Sequence, residues 1–143
     1  MLEAYFALSG RIRRLRFFAH TILLWIVILL LSLLAIPLVN HARYPATASI
    51  MAIGLIGLFW IWAGMALVVK RLHDLDWSGW HYLWMFLLPA ILGSGLSIHA
   101  SGSFERTWTV GFGYSPGIVS FLAILYLIFA RGTDGRNRFG YPP

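Results

Sequence analysis

FFAHTILLWIVILLLSLLAIP, residues 17–37, decides the fold class: 21 residues in which His20, Thr21 and Ser32 are the only polar interruptions. Wound as a helix at about 1.5 Å per residue, it reaches about 31 Å, the thickness of a bilayer's hydrocarbon core. Four arginines precede it, Arg11, Arg13, Arg14 and Arg16, as in the basic start of a signal peptide. The apolar run exceeds the roughly 7–15 residues of such a leader, and no small-residue cleavage site follows, so it reads as an uncleaved first span.

Outward from this stretch the pattern repeats. Residues 40–49, with Asn40, Arg43 and Pro45, have turn chemistry and length enough to reverse the chain. Residues 50–69 form a second span without a charge, in which Gly54, Gly57 and Gly64 are expected to let another backbone approach closely. Residues 70–79 break the apolar pattern with Lys70, Arg71, His73, Asp74 and Asp76, and must face water or protein. Residues 80–96 are a marginal third span, and Pro89, which removes a backbone donor, predicts a kink. The Gly- and Ser-rich residues 97–115 read as an ordered or partly mobile loop. A fourth span over about residues 112–130 completes the set, with a re-entrant segment as its alternative.

Composition agrees with this division. Of 143 residues, 59% are hydrophobic and 11% charged, and the mean hydropathy is +0.77, far from the balance of soluble domains. Such a chain holds at most about four spans and no separate catalytic domain. The absence of cysteine excludes disulfide frameworks, thiol nucleophiles and Cys-based metal sites, and leaves the redox compartment open. The expected architecture is all-α: one polytopic integral membrane domain with four transmembrane helices, the third kinked.

The net charge of +6 orients it. Nine of the eleven Lys and Arg residues fall in residues 1–16, 70–79 and 131–143, so the positive-inside rule puts both termini and the middle loop in the cytoplasm. Of the seven tryptophans, Trp77 and Trp80 best suit an interfacial belt. Anionic lipid headgroups are the nearest partners for these charges. Nucleic acid is not expected, because topology already accounts for the basic residues and no aromatic-studded basic groove is available.

Three polar clusters then share the cytoplasmic face. In the first, Gly10 precedes Arg11, Arg14 and Phe17, and a helix continued back from the first span would present Arg11 and Arg14 on one side. Such arginines grip lipid phosphates or simply orient the chain. Leu2, Tyr5, Phe6 and Leu8 upstream read as a short interfacial lead-in. The second cluster is Arg71, His73 and Asp74 with Ser78, Gly79 and Trp80. Chemically, a histidine beside a carboxylate carries protons while Arg71 holds an anion. Structurally, Arg71 and Asp74 pair at the helix end, and Ser78 and Gly79 cap the next helix. The third is the tail, where Gly132, Gly135, Asn137, Phe139 and Gly140 build tight turns rather than a helix and are expected to fold against the middle loop. No ligand pair of metal-binding spacing occurs, so neither a metal nor a cofactor is expected.

Together these clusters resemble a known family. Gly10-Arg11-x-x-Arg14-x-x-Phe17, then Arg71-Leu72-His73-Asp74 with Ser78-Gly79-Trp80, then Gly132-x-x-Gly135-x-Asn137-x-Phe139-Gly140-x-x-Pro143 is similar to the small bacterial inner-membrane proteins called domain of unknown function 805. Members commonly carry a doubled Arg before Leu-His-Asp where this chain has Lys70 then Arg71. The resemblance implies a helical multi-pass protein of the bacterial inner membrane and no particular activity. The leading expectation is therefore a non-catalytic module that engages lipids, a membrane protein or a second copy of itself. The alternative is a small transporter subunit coupling protons or anions through residues 71–74, and a lipid-modifying enzyme ranks third because His73 has no evident nucleophile beside it.

Overall fold

The computed structural model describes residues 3–92 and 117–141. Leu2 of the lead-in, the loop expected at 97–115, the ends of the two flanking spans that adjoin it, and Pro143 of the tail motif lie outside the described residues. Those described are helices and turns: α1 (Glu3–Phe6), α2 (Arg14–Asn40), α3 (Pro45–Asp74), α4 (Leu83–Leu92) and α5 (Gly117–Phe129). No strand occurs among them, only an isolated bridge between Asn137 and Gly140.

Two helices, α2 and α3, are long and apolar enough to cross a membrane. They pack against each other as an antiparallel pair joined by residues 41–44, a tighter connection than residues 40–49. Pro45 opens α3, where its fixed φ suits a first turn and its missing N–H is not needed. At this end of the pair, Leu34, Leu38, Ile50 and Ile53 are all exposed, a surface that suits lipid rather than water. The glycines behave otherwise than expected. A Cβ added at Gly54, Gly57 or Gly64 would meet nothing within 4 Å, so no neighbour among the described residues uses them for close approach.

At the other end, α3 is buried on nearly every side. Ala66, Leu67, Val68, Val69, Lys70, Arg71 and Leu72 are consecutive buried residues, of which Leu67, Val68 and Leu72 share a core with Ile12, Phe17, Leu24 and Leu127. The helix does not stop at residue 69. It continues to Asp74, because Lys, Arg and Leu are good helix formers and the charges find partners in protein. It ends in a Schellman turn, with Asp76 N–H bonded to His73 O at 3.2 Å and Trp77 N–H to Leu72 O at 2.8 Å. Asp76 takes the left-handed conformation this requires (φ 61°).

Ser78 then caps the start of the next helical segment, accepting a hydrogen bond from Trp80 N–H at 3.5 Å. Where Pro89 predicts a kink, the helix before it carries a π-helical turn, Leu83–Leu87. Proline gives no N–H to Met85 O four residues back. That carbonyl instead accepts the Ser120 hydroxyl of α5 at 3.0 Å, which ties the two shorter helices together.

Candidate functional site

The buried end of α3 is a polar knot built around Asp74. Arg11 donates to its Oδ1 from Nε at 3.3 Å and from Nη2 at 3.1 Å, and Arg71 Nη1 donates to Oδ2. The three residues are 9%, 0% and 4% exposed for Arg11, Arg71 and Asp74, and Arg71 is the largest fully buried side chain among the described residues. Two arginines and one carboxylate in so dry a place are tolerated only if their remaining donors are also satisfied.

They are. Arg71 Nε donates to Leu127 O at 2.8 Å, and its Nη2 donates to Ala130 O. These are carbonyls at the end of α5, where a cation suits the helix dipole. Arg11 Nη1 donates to Gly135 O at 2.8 Å and Gly140 O at 3.2 Å, and Nη2 donates to Thr133 O at 2.7 Å. Thr133 closes the circuit, since its N–H and hydroxyl both donate to the backbone carbonyl of Asp74, at 2.8 and 3.0 Å. Among the described residues no buried side-chain donor or acceptor lacks a partner.

His73 lies on the other side of the helix end. Its Nδ1–H donates to Gly10 O at 3.2 Å, and its ring stacks on Phe139 with centroids 3.9 Å apart and planes 8° from parallel. Asn137 Nδ2 donates to His73 O at 2.8 Å, while its Oδ1 accepts Phe139 N–H at 2.9 Å. The tail therefore folds as turns against the end of α3, with Gly135 (φ 81°) and Gly140 (φ 121°) in the left-handed region.

Nine residues singled out from the sequence thus meet in one assembly: Gly10, Arg11, Arg71, His73, Asp74, Gly135, Asn137, Phe139 and Gly140. Gly79 adjoins it, where an added Cβ would come 3.0 Å from Val69 and 3.6 Å from His73 Nε2. Phe17, 1% exposed, packs in the apolar core beneath. Arg14 stays exposed at the rim, Ser78 serves as a cap, and Trp80 is 73% exposed.

Three expectations need correction. Arg11 and Arg14 do not share a helical face, because α2 begins only at Arg14 and the chain before it is extended. His73 is not held by the carboxylate next to it, since adjacent residues on a helix point about 100° apart. Arg71 is not open to an outside anion, because Asp74 and three backbone carbonyls engage it.

Sequence reading missed Thr133 and undervalued Gly132. A Cβ at Gly132 would overlap the Asp74 carboxylate, so only glycine fits there. The signal was a Gly-Thr pair in a turn-forming tail, too common to single out.

The knot leaves no free nucleophile or base among its charged members; what faces outward is a basic rim. Among the described residues no three His, Asp or Glu side chains converge as a metal site would need. No curated protein and no solved structure matches the chain. The family model described as "Protein of unknown function (DUF805)" matches residues 5–141, nearly the whole length, and the chain belongs to that family.

Proposed function

We propose that this is a four-span protein of the bacterial cytoplasmic membrane, with both termini and the turn after α3 in the cytoplasm. It acts there without catalysis of its own, as a module that engages lipid headgroups or another membrane protein. The observation that carries the reading is the gathering of residues 10–12, 71–76 and 131–140 at one end of two long apolar helices. Exposed Arg13, Arg14, Arg16, Arg131 and Arg136 surround that assembly, as the positive-inside rule asks of a cytoplasmic end. Proton or anion coupling through residues 71–74 has less support. It requires Arg71 and Asp74 to exchange partners in each cycle, whereas every polar atom of both side chains is engaged inside protein.

The chain has no cysteine, which makes the topology directly testable. Single cysteines are introduced as Ser9→Cys, Ser78→Cys, Ser103→Cys and Asp134→Cys, and intact cells are treated with a membrane-impermeant thiol reagent. Labelling of Ser103→Cys alone is expected. Labelling of Ser78→Cys or Asp134→Cys from outside sinks the cytoplasmic placement.

A further inference from the structure

Beside the buried triad lies a cleft of about 550 Å³, walled by Arg13, Arg14, Arg131 and the turn from Gly132 to Gly135. These three arginines are exposed, and none forms an ion pair among the described residues. Arg11 and Arg71 stand behind them in the same wall, with Asp74 and Asp134 as the carboxylates there. Five arginines thus line one cavity against two acidic residues. Arg14 is close enough to Arg71 for the two to repel.

Orientation in a membrane explains why arginines occur in these segments, but it does not require three to face one cavity. Their convergence is repulsive until an anion enters, and planar guanidinium groups match the oxygens of a phosphate. The volume lies in the range of small-molecule sites and exceeds what one inorganic phosphate fills. At the cleft's edge α2 begins, and there Leu15 and Phe18 are exposed, offering apolar surface to whatever is attached to the phosphate.

We infer that this cleft binds the phosphate of an anionic phospholipid headgroup, with Arg13, Arg14 and Arg131 as its direct ligands. Arg11 and Arg71 are occupied by the fold and contribute fixed positive potential without touching the ligand. The inference rests on the membrane reading above and names the ligand class of that face.

The full chain in detergent is titrated with phosphatidylglycerol, phosphatidylcholine and inorganic phosphate. The same titrations follow for Arg13→Gln/Arg14→Gln/Arg131→Gln and for Asp134→Asn. Phosphatidylglycerol affinity is expected to fall about a hundredfold at low salt in the triple variant. In Asp134→Asn it should rise about fivefold, a gain that misfolding does not produce. Unchanged phosphatidylglycerol affinity in a triple variant that melts like the parent overturns the site. Inorganic phosphate binding as tightly as phosphatidylglycerol, with both lost in the triple variant, overturns the lipid assignment in favour of a soluble phosphate. The cysteine labelling is independent of these titrations, so a wrong topology and a wrong ligand give different results.

Discussion

Asp74, 4% exposed, meets two guanidinium groups, and its worth to the protein follows from what its loss leaves behind. Asp74→Asn keeps the size of the side chain but strands two buried positive charges, which costs about 3–5 kcal/mol. Asp76, the other carboxylate near the helix end, pairs with Arg138 at the surface, 3.2 Å away and open to solvent. Asp76→Asn is expected to cost less than about 1 kcal/mol. Melting of both variants in detergent, followed by loss of the monodisperse species, checks the contrast. Equal effects would mean that the buried triad does not hold the fold. At this scale the sequence is half legible. The spacing of Arg71 and Asp74, three apart, announces their pairing in any helix. Arg11 arrives from 63 positions away, and no local pattern encodes so distant a partner.

The start of α2 shows why elements were harder to bound than to detect. Arg13 stands at its N-cap without a capping side chain, and no acidic residue lies in its first turn, so the usual punctuation is missing. Hydropathy likewise cut α3 short, since it registers the charges at 70–74 and not the burial that accepts them. Pro89 was legible as a disturbance, but the repair by Ser120 was not, because that hydroxyl belongs to another helix. Ser120→Ala is expected to cost about 1 kcal/mol, the usual net worth of an intramolecular hydrogen bond. In a Pro89→Ala background, Met85 O regains an N–H within its own helix, and the cost of Ser120→Ala should shrink toward zero. A double-mutant cycle on thermal stability measures this, and an unchanged cost would show that Ser120 acts elsewhere.

As a whole the molecule is asymmetric. Among the described residues, the end of the α2–α3 pair that holds residues 34–53 is apolar and exposed, and the opposite end carries the packed core and its ion network. The tail supplies much of that network. A chain ending at residue 130 loses the Thr133, Gly135 and Gly140 carbonyls that satisfy Arg11. Loss of these charged hydrogen bonds is expected to lower stability by about 3 kcal/mol or more. Proteolysis of the truncated protein in detergent tests this, and resistance equal to that of the full chain would show the tail to be an accessory.

The place of those tail carbonyls in the chain has a further consequence for how the protein is made. Arg11, Arg71 and Asp74 all leave the ribosome before residue 131 exists, and so before the carbonyls that complete Arg11. Until residues 133–140 are made, Asp74 at the end of α3 and its two arginines lack the tail groups that engage Arg11 in the complete fold. Closure of the ion network therefore waits on the synthesis of residues 133–140, and a nascent chain stalled before them leaves Arg11 without three of its carbonyl partners.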